Sequence, residues 1–127
     1  MLDRAAEKLK ADGRFENPVV RDRAGRALAL CESARLMVYR VVHQRATKAP
    51  QDAYGNLARW AIIQADHAVN DFMTEFMPEG LLGEDQMQIA HHQRAIAAGI
   101  ASGAAEIQLN LAARRYLDLP SEPRRGL

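Results

Sequence analysis

A single cysteine, Cys31, stands among 127 residues, so no internal disulfide can form. The fold must rest on packing, and the composition suits a reducing compartment. Aromatic residues make up only 6% of the chain, and Trp60 and Tyr54 read as packing or interface positions rather than a stacking platform. No charge sign dominates: 17 Lys plus Arg stand against 16 Asp plus Glu, a net +1. That excludes a large field for nucleic acid or an anionic membrane. No apolar run approaches the length of a membrane span, and the start, Met1-Leu2-Asp3-Arg4, is charged and has no apolar signal core. These absences predict a cytoplasmic protein with neither nucleic acid nor membrane as partner. Strand-like alternation, internal repeats and low-complexity segments are also lacking.

What is present is helical. Hydrophobic residues reach 48% and charged residues 26%, ordinary values for a globular chain. The length suits one domain over residues 1–127, large enough to bury a core. Residues 2–11 read as a short amphipathic helix stopped by Asp12-Gly13. Asn17 before Pro18 is a cap followed by a residue pre-set for a first helical turn. From there a long helix over 18–45 carries the stripe Val20, Ala24, Ala27, Cys31, Ala34, Val38, Val41, with Leu30 and Met37 widening it into a second, exposed face. A third helix over 51–76 carries Ala58, Ile62, Ala65, Val69, Phe72 and Phe76. Pro78, Gly80 and Gly83 punctuate a loop over 77–84, and further helices follow at 85–95 and 104–117. The basic tail, 121–127, reads as flexible. The expectation is an all-α, up-and-down four-helix bundle with a short extra N-terminal helix, residues 1–17 being a partial leading helix and its connection.

Few residues suggest chemistry. His67, Asp71 and Glu75 share one helix face by their spacing of four, but the residue three before His67 is Gln64 rather than the glutamate of a Glu-x-x-His motif, and no such motif stands elsewhere to build a metal centre. A solvated face is the expected reading, with no metal. His91 and His92 are adjacent and point apart. Cys31 falls on the core stripe and reads as a buried structural thiol. The stretch Gly99-Ile100-Ala101-Ser102-Gly103-Ala104-Ala105-Glu106 leads into a helix, with Ser102 or Gly103 as cap and Glu106 in the first turn. Such a start leaves backbone N–H groups free to meet an anion.

That stretch continues as Ile107-Gln108-Leu109-Asn110-Leu111-Ala112-Ala113-Arg114-Arg115-Tyr116-Leu117-Asp118-Leu119-Pro120. It resembles the closing segment of acyl-CoA dehydrogenases, commonly G-T-S-E-I-Q-x-N-I-I-A-x-R-x-L-G-L-P. The segment from Asn17-Pro18-Val19-Val20 to Glu32-Ser33-Ala34-Arg35-Leu36-Met37-Val38-Tyr39-Arg40, and the segment Met77-Pro78-Glu79-Gly80-Leu81-Leu82-Gly83, are similar to further parts of that family. The resemblance implies the C-terminal helical domain of an enzyme that also has an N-terminal helical domain and a middle β-domain. FAD and acyl-CoA lie between those domains, and a glutamate removes the α-proton while the flavin takes the β-hydride.

Carried over residue by residue, the resemblance implies FAD contacts at Gly103, Ala104, Glu106 and Gln108. Ser102 occupies the position where many members place the glutamate, and a serine hydroxyl is no base without an activating partner. Ala104 stands where the family has a flavin-contacting threonine, and Met77-Pro78 replaces a Gly-Gly pair. No catalytic residue is therefore assigned. The expected function is a C-terminal domain or fragment of a flavin-dependent acyl-CoA dehydrogenase of fatty acid metabolism, supplying an oligomer interface and part of a FAD surface and inactive alone. Its expected partners are further copies of itself or a dehydrogenase subunit, with acyl-CoA bound only in a complete assembly. The alternative is a non-catalytic helical subunit that pairs with a complete dehydrogenase and binds no flavin.

Overall fold

The computed structural model describes residues 1–50, 52–83, 85–101 and 103–120. Among them every regular element is helical: α1 (Leu2–Ala11), a 3-10 turn (Arg14–Glu16), α2 (Pro18–Ala46), α3 (Tyr54–Phe76), α4 (Pro78–Leu82), α5 (Gln86–Ala98) and α6 (Ala105–Leu117). The all-α class expected from the periodicity is what the chain forms. The tail over 121–127 lies outside the described residues.

Local chemistry sets the boundaries. Asn17 Oδ1 accepts from Val19 N at 2.9 Å, and Pro18 opens α2, as the Asn-Pro pair predicts. Asp52 Oδ1 accepts from Tyr54 N at 2.8 Å and marks the start of α3, later than the 51 expected. The predicted loop over 77–84 instead contains a helical turn, α4, with Pro78 at its first position. Gly80 permits it: a Cβ there would lie 2.0 Å from Gln88 Oε1, and the buried Gln88 donates from Nε2 to the Met77 carbonyl at 2.8 Å. α5 outruns its expected end at Ala95 because Arg59 on α3 donates to the Ala98 carbonyl, satisfying its last turn from outside.

α3 is the central element. α2 packs along it antiparallel, and α5 and α6 also pack on it, while α1 lies against the first half of α2. Because α3 has neighbours on several sides, its buried residues are not one stripe: Ile63 is fully buried, whereas Ile62 of the predicted seam is half-buried. The main core joins Ala5 and Leu9 of α1, Val20, Ala24 and Ala27 of α2, and Val69, Phe72 and Met73 of α3. A second, alanine-only cluster, Ala34 with Ala61 and Ala65, continues the contact toward the other end. Small side chains let these two helices approach closely, but each alanine removes little apolar surface from water.

The seam of α2 is covered only part of the way. Val20, Ala24, Ala27 and Ala34 are buried, but Val38 is 36% exposed, and Val42 beyond it is 56% exposed. α1 covers the first half of α2, and no described element takes its place farther along. Met37, expected on an exposed second face, is half-buried against the Ala34 cluster, whereas Leu30 is exposed as expected. The open apolar surface of α2 thus comprises Leu28, Leu36, Tyr39 and Val42 as well.

Candidate cofactor-facing turn

The connection from α5 to α6 carries the residues singled out in the sequence. It is held from α3. Arg59 donates from Nη2 to the carbonyls of Ala98 and Ala101, and His67 Nε2 donates to the Ala95 carbonyl at 3.0 Å. Within the connection, Ala105 N donates to the Gly99 carbonyl at 3.1 Å. Nothing in the local sequence flags Arg59. It is one more arginine on a helix, and its role emerges only when α5 ends beside it.

Gly103 has φ +103°, a conformation strained for any residue with a Cβ. A Cβ there would lie 2.3 Å from Gln108 Nε2. Gln108 therefore folds back over the glycine, and its Oε1 accepts from Asn56 Nδ2 at 2.8 Å. Asn56 Oδ1 in turn accepts from Arg115 Nη1 at 3.1 Å. One α3 amide thus ties together both ends of α6. Beside it the Tyr54 and Tyr116 rings meet edge to face at 5.5 Å, and the Arg40 guanidinium lies 3.6 Å from the Tyr54 ring centre.

The predicted cap of α6 shifts: the capping position is Ala104, which offers no side-chain acceptor. Ser102, expected from the resemblance at the position of the family's base, lies outside the described residues. Of the four positions inferred to face a cofactor, Glu106 is exposed, Ala104 is half-buried without a polar group, and Gly103 and Gln108 are half-buried against each other. The glycine makes room for the chain's own glutamine, and that glutamine's oxygen is already used by Asn56. The described residues of this turn offer one exposed carboxylate and a short stretch of backbone.

The remaining candidates resolve into structural roles. His67 is engaged by Ala95, Glu75 lies 3.8 Å from Arg23, and Asp71 is exposed. His92 Nδ1 bonds Asn70 Oδ1 at 2.8 Å. Among the described residues no group of three His, Cys, Asp or Glu side chains lies close enough to hold a metal. Cys31 is half-buried rather than buried, lining a cleft of about 400 Å3 with Asp66, His91 and Arg94. Its thiol is pushed above the ordinary range by burial and by the Asp66 charge, which disfavours the nucleophilic thiolate. His91 is held neutral: burial and the Arg94 guanidinium depress its pKa, and Arg94 Nη2 donates to Nδ1 at 3.0 Å, leaving the proton on Nε2.

Among the described residues no helix is long and apolar enough to cross a membrane. The family model described as acyl-CoA dehydrogenase, C-terminal domain, matches residues 1–117. No curated protein and no solved structure matches the chain.

Proposed function

The chain belongs to the acyl-CoA dehydrogenase family through its C-terminal domain, and from that premise we propose that it is a catalytically incomplete helical part of a dehydrogenase assembly. In this reading it supplies an oligomer interface and one edge of a FAD surface for α,β-dehydrogenation of acyl-CoA thioesters. The family is FAD-dependent; when bound, the flavin supplies hydride acceptance from the β-carbon. The role of these residues is to pack and position, not to move the α-proton.

The observation that carries the reading is the composition of the turn before α6. Ser102 stands where a proton-abstracting glutamate would be needed, and Ala104 lacks the hydroxyl expected beside a flavin. Glu106 is exposed in the first turn of α6 rather than set in an enclosed pocket. A general base needs a dry site and an orienting partner to act at neutral pH. The interface role is supported by α2, whose seam residue Val38, with Val42 and Leu28 beside it, carries exposed apolar surface of the kind that marks association sites.

A second reading is favoured by the inward turn of Gln108 onto Gly103 and Asn56. In it the chain is a flavin-free structural subunit that pairs with a complete dehydrogenase. An absorbance spectrum of the purified chain, taken after incubation with FAD and gel filtration, separates the two. A retained oxidised-flavin band supports the FAD edge. A spectrum with protein absorbance only supports the flavin-free subunit.

A further inference from the structure

Several arginines on this surface are answered by carboxylates. Arg4 meets Asp85, Arg14 meets Asp12 and Glu79, Arg26 meets Asp22, Arg35 meets Glu32 and Arg94 meets Asp66. Where α2 turns into α3, that pairing stops. Arg45 and Lys48 from the end of α2, and Arg115 from α6, line one cleft of about 470 Å3 together with Gln44, Asp52 and Asn56. None of these three cations makes an ion pair among the described residues. Among the described residues Asp52 is the only carboxylate lining the cleft, and both its oxygens are engaged, Oδ1 by Tyr54 N at 2.8 Å and Oδ2 by Gln44 Nε2 at 2.7 Å. Arg115 gives Nη1 to Asn56, and its other N–H groups have no protein partner among the described residues.

Helix dipoles explain a basic residue near the end of α2 and another near the end of α6. They do not explain why both converge on one cleft, nor the backbone of Lys48. Lys48 adopts φ +54°. Its N–H reaches the Arg45 carbonyl at 3.3 Å while Ala49 N reaches the Gln44 carbonyl at 3.0 Å, a helix ending that ordinarily uses glycine. A lysine there is strained, and strain retained at a charged residue beside a cleft is a mark of functional positions.

We propose that this cleft is a binding site for a phosphate-bearing anion with at least two negative charges, held by Arg45, Lys48 and Arg115. Two guanidinium forks suit phosphoryl oxygens, and the ammonium adds a compact charge. The cleft has room for more than one phosphoryl group, so a diphosphate is a suitable probe.

Titration calorimetry of the full chain with inorganic pyrophosphate at low ionic strength tests this. Saturable one-site binding is expected, weakened roughly tenfold in Arg115→Gln and in Lys48→Gly. Lys48→Gly relieves the backbone strain, so its loss of binding cannot come from unfolding. Arg26→Gln, which removes a cation paired elsewhere, leaves the affinity unchanged. A parallel titration with ADP identifies the source of the diphosphate: equal affinity assigns recognition to the diphosphate alone, and tighter binding extends the site to the nucleoside. No binding of pyrophosphate, or affinity unchanged in both Lys48→Gly and Arg115→Gln, overturns the proposal.

Discussion

The side-chain amide of Gln108 occupies the space that a Cβ on Gly103 would need, its Nε2 lying 2.3 Å from that position. A helix residue and the turn before that helix are thereby locked together, and Asn56 fastens both to α3. Gly103→Ala meets two penalties, the φ of +103° and the Gln108 contact. It is expected to lose about 1–3 kcal/mol of stability. In a Gln108→Ser background the steric part disappears and the strain remains, so the same substitution costs less. Urea denaturation of the four proteins in this cycle measures the difference.

Arg59 fastens α5 from outside through the Ala98 and Ala101 carbonyls. Arg59→Met keeps the stem and removes both bonds. A loss of about 1–3 kcal/mol is expected, with amide hydrogen exchange accelerating first in the last turn of α5 and in residues 99–101. Exchange raised uniformly through the chain would contradict the local role.

His91 contributes to pH dependence with a definite sign. Its folded pKa lies below the ordinary 6.5, through burial first and Arg94 second. The unfolded chain therefore takes up the proton first, so stability falls as pH drops through 6.5 and levels off once the folded form also protonates. His91→Gln flattens that step in urea midpoints measured from neutral pH downward. The pKa values of Glu79 and Asp85 are lowered, so these two carboxylates act at more acidic pH, apart from the His91 step.

The open surface of α2 predicts association. Val42→Asp places a charge on a residue already 56% exposed, so monomer stability changes by no more than about 0.5 kcal/mol. The wild-type chain is expected to be a dimer or larger in light scattering, and the variant to shift toward monomer. A wild-type chain that stays monomeric at high concentration would contradict the interface role.

The helices were legible in the sequence wherever a stripe and a cap agreed. Asn17-Pro18 marked the start of α2, and Asp12-Gly13 the end of α1, because both act within a few residues of themselves. α4 was not legible: Pro78, Gly80 and Gly83 read as loop punctuation, and the helical turn depends on Gln88 from α5 closing over Gly80. Ile62 and Met37 were misplaced because periodicity identifies a face without saying how many neighbours surround the helix. For the candidate turn, the positions were legible and their orientation was not. Whether Gln108 faces a ligand or Asn56 is decided by α3, more than fifty residues earlier in the chain.

The most direct test of the proposed role is turnover by the purified chain alone, supplied with FAD and an electron acceptor and offered short-, medium- and long-chain acyl-CoA thioesters. With serine at position 102 and no enclosed carboxylate in the described turn, the expected result is no acyl-CoA-dependent reduction of the acceptor. Measurable turnover of any of these thioesters would contradict a catalytically incomplete helical part.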